Sequence, residues 1–298
     1  MSIPTVTLVS GIKVPRLAFG VGTALYKSDC SQQVETAINA GFTHLDHAEV
    51  YANSEASGRA IGKHLDGGAA RESLFILTKL MQRGIPDPMG ETQREVELLQ
   101  CKGYADAVLL HRPPRGENGL PSNVDAWKLL EAVKDKGLAR VIGVSNWMAS
   151  DIEEVIASKP KHPIEINQIE LNPSLYHHPE YQSLLKVHER ENIKAMVYGS
   201  LTSLYKDPER NAALNKALEE VAAKHSTSPA AVLQAWTYAR TDGIVVTTTS
   251  KETRAREYVA DAAKLAQLSE QDLGAIEEAS RQGPPLKYYM TDVFDPSK

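Results

Sequence analysis

Short apolar runs alternate with segments whose apolar residues recur at helical spacing, and this alternation extends along almost the whole chain. Eight runs read as strands: Arg16–Gly20, Phe42–Asp46, Leu74–Lys79, Asp106–His111, Val141–Ser145, Ile166–Glu170, Lys194–Gly199 and Gly243–Thr249. Between them lie amphipathic stretches such as SQQVETAINAG, SEASGRAIGKHL, VDAWKLLEAVKDKG and DIEEVIASK, several of which stop at glycine or before proline, as helices do. Strand and helix in strict alternation predict an α/β fold with a parallel sheet covered by helices. Eight such pairs in roughly 250 residues fit a closed (β/α)8 TIM barrel, with a doubly wound open sheet as the competing architecture. Ahead of the first pair, TVTLVSGIKV alternates apolar and polar residues around Ser10 and Gly11, which predicts a β-hairpin that plugs the bottom of the barrel. Beyond the last strand, LSEQDLGAIEEAS predicts an extra C-terminal helix capped by Ser269, followed by a proline-rich, aromatic tail. No low-complexity linker divides residues 1–298, so the chain reads as a single domain.

Composition narrows the classes. With 298 residues, 42% of them hydrophobic, the chain can bury a full core. A net charge of −5 argues against a general nucleic-acid surface, which needs clustered excess Lys and Arg. Two distant cysteines, Cys30 and Cys101, support neither a disulfide framework nor a zinc ribbon and suit a reducing compartment. No basic leader precedes a long apolar run, and no stretch reaches 18 apolar residues. The expectation is a soluble, cytoplasmic, monomeric protein with a small-molecule partner and no membrane.

In a barrel of this type chemistry collects at the C-terminal ends of the strands. Asp46, Tyr51, Lys79 and His111 fall at or just past such ends, on the second, third and fourth strands. Each alone has a plain structural explanation, since strand-end polar residues are common in loops. Together they match one task. A phenol is a weak acid at neutral pH, and a neighbouring ammonium would ease its proton loss, so Lys79 is expected to assist Tyr51. A buried lysine needs a counter-ion to stay charged, and Asp46 supplies one. His111 can donate a hydrogen bond to a carbonyl oxygen. The set suits protonation of an oxygen as it becomes an alkoxide.

The motifs LDHAEVY, LTK, LLH, IGVSN, NQIELNP and TTTSKETRARE, in that order, resemble those of the aldo-keto reductase family, and the resemblance covers essentially the whole chain. It implies a catalytic tetrad of Asp46, Tyr51, Lys79 and His111. It further implies that Ser145, Asn146 and Gln168 hold a nicotinamide carboxamide, that Tyr198 stacks on the nicotinamide ring, that Gly22 and Thr23 touch the cofactor from the first loop, and that Glu257 contacts adenine. Within the family, TTTSK and the absence of tryptophan after His111 most resemble fungal conjugated polyketone and ketopantoyl lactone reductases. The implied activity is NADPH-dependent reduction of aldehydes or ketones to alcohols. Because some relatives serve as regulatory or redox-sensing subunits, that role is the alternative.

The phosphate end of the cofactor can be argued from residues alone. Thr249 followed by Glu252 predicts a capping box and therefore a helix N-terminus, which favours anions. Ser250 lies in the same turn, and Lys251 and Arg254 add positive charge where the helix dipole normally disfavours it, which suits a 2′-phosphate better than a bare ribose. The glycines of GVGTA lack the spacing of a dinucleotide-binding loop. His44, Asp46 and His47 cannot converge on one metal, because alternation sends His47 to the opposite face, and His177 and His178 have no evident third ligand; no metal is expected. The resemblance implies that Arg112 stands where many relatives have a substrate-wall tryptophan. Pointing inward, it would grip α-dicarbonyls, ketolactones or α-keto acids in a fork; pointing outward, it would pair with a tail acid such as Asp292.

Overall fold

The computed structural model describes residues 2–81, 83–264 and 267–297. A hairpin of β1 (Thr5–Thr7) and β2 (Lys13–Pro15) precedes eight parallel strands: β3 (Leu17–Gly20), β4 (His44–Asp46), β5 (Phe75–Leu80), β6 (Ala105–Leu110), β7 (Ala139–Ser145), β8 (Ile166–Glu170), β9 (Lys194–Tyr198) and β10 (Ile244–Thr247). β10 pairs back onto β3, with Val245 opposite Leu17, and closes the barrel. Closure follows from the pattern. Every residue of β5, β6 and β8 is buried, so these strands are covered on both faces; β5 and β6 are accordingly mostly apolar, whereas β8 buries Asn167, Gln168 and Glu170.

The lower interior is filled by Phe75, Leu77, Leu109, Ile166 and Met196, and the hairpin's Val6, Leu8 and Val14 pack into the same cluster. The hairpin thus seals the N-terminal end, as its alternation predicted. Ser10 N–H fastens its turn to the buried Glu165 carboxylate at 2.9 Å. His44, on the barrel strand above, bonds through Nδ1 to the Pro15 carbonyl at 3.0 Å and meets the Phe75 ring edge-on.

The surrounding helices are α1 (Ser31–Ala40), α2 (Ser54–Asp66), α3 (Pro88–Leu98), α4 (Asn123–Asp135), α5 (Ala149–Ala157), the short α6 (Pro173–Tyr176), α7 (Pro179–Glu191), α8 (Ala212–Lys224), α9 (Pro229–Thr241), α10 (Glu252–Lys264) and α11 (Glu270–Ser280). Local chemistry sets their ends. Ser122 and Ser228 cap α4 and α9 by accepting from Asp125 N–H and Ala231 N–H. Gly41, at φ 106°, ends α1 in the left-handed conformation glycine tolerates. Ser269 and Asp272 form the capping box of α11, the extra C-terminal helix.

Register brings the functional residues to one rim. Gly20 lies opposite Asp46, Lys79 opposite Leu109, Ser145 opposite Gln168, and Glu170 opposite Tyr198. The turns beyond these pairs all open at the C-terminal mouth.

Candidate active site

A cavity of about 670 Å³ opens at that mouth, and Gly22, Asp46, Tyr51, His111, Asn146 and Tyr198 are among its lining residues. Asp46 ends β4 and Lys79 lies in β5, both buried. Lys79 Nζ donates to Asp46 Oδ1 at 2.5 Å, and Gln168 Nε2 donates to the same oxygen at 2.8 Å. Tyr51 ends a 3-10 turn, Glu49–Tyr51, beyond which Ala52 turns the chain through a left-handed conformation at φ 51°. Its ring lies with Lys79 Nζ 5.1 Å from the centroid on one side, while the His111 ring approaches edge-on with centroids 5.6 Å apart. Gly22 backs the phenol so closely that an added Cβ would lie 2.5 Å from Tyr51 Cζ.

The ammonium of Lys79 is engaged by Asp46 and lies over the Tyr51 ring. Burial, joined by the Asp46 charge, holds the Tyr51 phenol well above its usual pKa. The proton therefore stays on Tyr51, because desolvation of the phenolate and the Asp46 charge both disfavour its loss. Burial also pulls Lys79 down, opposed by Asp46. Burial, then Lys79 and Arg112, keep the His111 imidazole well below its ordinary value, hence neutral at pH 7. Its Nδ1 is buried without a hydrogen-bond partner.

The predicted carboxamide residues form one hydrogen-bonded chain beside the tetrad. Ser145 Oγ donates to the Gln168 carbonyl at 2.9 Å. Asn146 Nδ2 donates to Ser145 Oγ and to the His111 carbonyl, both at 3.0 Å, and Asn146 Oδ1 accepts from Tyr198 Oη at 2.7 Å. Asn146 sits at φ 62°, a left-handed conformation that asparagine adopts more readily than most residues. Gly22 and Thr23 line the cavity.

Farther along, Thr249, Ser250, Lys251, Arg254 and Glu257 lie around the start of α10 rather than on the cavity lining, where Thr247, Thr248 and Tyr258 stand instead. The capping box does not form. Thr249 Oγ1 accepts from Lys251 N–H at 3.1 Å, two residues on, and Glu252 pairs with Arg256 at 2.7 Å, so α10 begins at Glu252. The charge of Arg254 is nonetheless felt by Tyr258, which lines the cavity.

Sequence reasoning missed several residues. Ser200 and Ser203 after β9 and Thr248 after β10 carry buried hydroxyls with no partner. Buried hydroxyls are nearly always paired, so these orphans, of which Thr248 lines the cavity and Ser200 and Ser203 adjoin the lining residues Gly199 and Thr202, suit a ligand rich in acceptor oxygens, such as a phosphate chain. Their only signal was position, Thr248 within TTTS and Ser200 and Ser203 shortly after YG. Tyr26, Val50, Met81, Tyr289 and Met290 complete an apolar wall around Tyr51 and His111. Arg112, expected as a substrate contact, is not on the lining; its Nη1 donates to Asp292 at 2.9 Å. A formal partner in the tail outcompetes an uncharged wall for the guanidinium. Among the described residues, no group of three or more His, Cys, Asp or Glu could hold a metal, and no helix is long and apolar enough to cross a membrane.

Comparison with known proteins agrees with this geometry. Residues 17–281 match the model of the aldo/keto reductase family. The chain is 34% identical over 259 residues to an NAD/NADP-dependent indole-3-acetaldehyde reductase of Schizosaccharomyces pombe, covering 83% of this chain and 86% of that protein. Human aldo-keto reductase family 1 member C2 is 32% identical over 317 residues, covering 97% and 94%. Among solved structures, a Bombyx mori aldo-keto reductase in complex with NADP superposes with a TM-score of 0.81 at 26% identity, over 99% of this chain and 98% of that one. The fungal polyketone and ketopantoyl lactone reductases are not singled out by these relatives, which span yeast, human and insect proteins. The chain belongs to the aldo/keto reductase family.

Proposed function

We propose that this protein is an NADPH-dependent carbonyl reductase in which Tyr51 protonates the substrate oxygen. One observation carries the reading: a buried phenol that retains its proton stands between a neutral histidine and a buried Lys79–Asp46 pair, on the lining of a cavity of about 670 Å³ at the barrel mouth. When bound, NADPH supplies the hydride that reaches the carbonyl carbon. His111 orients the carbonyl oxygen by hydrogen bonding. As that oxygen gains negative charge it becomes basic enough to take the phenolic proton. The tyrosinate then forms beside the ammonium of Lys79, so the lysine acts where charge develops and not in the resting site. Asp46 and Gln168 hold that ammonium in place.

The orphan hydroxyls of Ser200, Ser203 and Thr248 fit the cofactor's phosphates, and the positive charges of Lys251 and Arg254 favour a 2′-phosphate. The NADP complex of the silkworm relative supports the same choice, while the yeast relative's name admits both NAD and NADP. The residues of the site all come from one chain, which supports action as a monomer.

The dicarbonyl and ketolactone class rested on an inward Arg112, and its pairing with Asp292 removes that support. The wall of Tyr26, Val50, Met81, Tyr289 and Met290 favours a carbonyl on a flat, apolar or aromatic body. The yeast relative's name, an indole-3-acetaldehyde reductase, points the same way. The test follows NADPH absorbance with an aromatic aldehyde and a compact diketone, using wild type and Arg112→Leu. Preference for the aromatic substrate in both proteins is expected. A diketone preference lost selectively in Arg112→Leu would restore the arginine to the pocket, and no turnover on any carbonyl would favour the regulatory role.

A further inference from the structure

The tail that carries Tyr289 and Met290 into the cavity has no secondary structure of its own, so something else fixes its path. Glu170, the last residue of β8, is buried and points its carboxylate at the tail backbone. Oε1 accepts from Tyr288 N–H at 2.8 Å and Oε2 from Tyr289 N–H at 2.9 Å; Lys287 Nζ lies 3.4 Å from Oε2. Two consecutive amides and an ammonium thus converge on one carboxylate. Across from it, Gly199 at φ 73° leaves room for the side chain: an added Cβ there would come within 3.0 Å of Glu170 Cγ. Asn172 Nδ2 bonds to the Leu286 carbonyl and Arg112 to Asp292, but these hold the tail before and after the segment that faces the cavity. Glu170 alone grips the amide of the residue whose ring stands 6.0 Å from that of Tyr198.

We infer that Glu170 is a positioning residue for substrate recognition: by clasping the Tyr288 and Tyr289 amides it sets the Tyr289 ring as a wall of the cavity. The inference rests on the carbonyl-reductase reading for its kinetic readout. A carboxylate is needed because both oxygens must accept at once. Glutamine is close in shape but has one acceptor, and its amide hydrogens would face the second N–H. Lys287 neutralises a charge that burial would otherwise make costly, and burial pushes Glu170 up and Lys287 down from their ordinary pKa values. Lys206 Nζ, 4.5 Å from the Tyr289 centroid and 5.3 Å from that of Tyr288, lies over the same rings and also lines the cavity.

The experiment compares wild type, Glu170→Gln, Tyr289→Ala and the double variant on a bulky aromatic ketone and a three-carbon aldehyde. Glu170→Gln is expected to raise KM for the aromatic ketone about ten-fold, with kcat changed less than about two-fold and the small aldehyde scarcely affected. Tyr289→Ala should raise the same KM, and adding Glu170→Gln to it should have no further effect. A Glu170→Gln loss equal on both substrates, or additive with Tyr289→Ala, overturns the assignment. Amide hydrogen exchange on wild type needs neither turnover nor a folded variant. Tyr288 and Tyr289 should exchange more slowly than the exposed Thr291 and Asp292, and fast exchange at both refutes the clasp. If exchange is slow but no carbonyl is reduced, the clasp stands and the reductase reading fails.

Discussion

Gly22→Ala tests the proton donor without altering it. A Cβ at this position would lie 2.5 Å from Tyr51 Cζ and 2.8 Å from both Cε2 and Oη, whereas ordinary contacts begin at 3.4 Å. The phenol must therefore retreat by about 1 Å, and misplacement on that scale costs on the order of 10²-fold in rate, or about 2.7 kcal/mol of barrier. Overpacking itself should lower stability by roughly 1–3 kcal/mol, read from urea denaturation. The kinetic assay is steady-state reduction of an aromatic aldehyde, with NADPH affinity measured separately by fluorescence titration, because Gly22 also lines the cavity proposed to take the cofactor. Two comparisons isolate the cause. Gly274→Ala, on α11 with nothing within 4 Å of the new methyl, should leave kcat unchanged. In a Tyr51→Phe background, where no hydroxyl remains to misplace, Gly22→Ala should cost less than about three-fold. A Gly22→Ala enzyme with near wild-type kcat, or one that loses the same factor with and without the Tyr51 hydroxyl, would refute the reasoning.

Tyr51→Phe should keep the fold and NADPH affinity while kcat falls at least 10²-fold or so, the usual cost of a lost general acid; near wild-type turnover would remove Tyr51 from the mechanism. Arg254→Ala should weaken NADPH by roughly 2 kcal/mol and leave NADH almost unchanged in parallel titrations, and equal weakening of both would contradict a 2′-phosphate contact. Acid should destabilise the fold through His44 and His47, which burial depresses from 6.5 to about 4. Below about pH 6.5 the unfolded chain takes up these protons and the native state does not. The stability they confer is thus fully present above 6.5 and lost as pH falls to about 4, about 3 kcal/mol for each histidine. Urea midpoints should fall across that window and fall less for His44→Gln; a flat profile would contradict it.

Why some of this was legible in the sequence and some not follows from the range of the interactions. The barrel is written in local runs: LFILTK and DAVLLH are long enough and apolar enough to be strands buried on both faces, and β5 and β6 form there within a residue of the predicted ends. Strand ends then place Asp46, Lys79 and His111 at one rim, because parallel register aligns them. The start of α10 shows a local ambiguity. TTTSKE offers the spacing of a capping box at Thr249 and Glu252, yet a hydroxyl that bonds two residues on competes with it, and Arg256 gives Glu252 another partner. The tail was the least legible part. Residues 284–293 have no period to read, and their path is fixed by contacts 118 and 119 residues away, at Glu170. For Arg112 both a pocket position and a pairing with Asp292 were open in the sequence, and the choice between them rests on a contact 180 residues distant.

The buried charges explain why tail and tetrad belong to one design. A buried ion pair seldom adds net stability, because desolvation of two charges offsets most of their attraction. The rim of this barrel nevertheless holds two, Lys79–Asp46 and Lys287–Glu170. In each, the carboxylate accepts further hydrogen bonds: Asp46 from Gln168, and Glu170 from two backbone amides. The extra donors convert a marginal pair into a fixed geometry, since a carboxylate with several short bonds cannot turn without leaving a buried donor unsatisfied. What the pairs provide is position. One fixes the ammonium beside the phenol, and the other fixes the aromatic wall against which a substrate carbonyl would be aligned. Gly22 and Gly199 are the matching steric conditions, each leaving space at the point where a side chain of the site must pass.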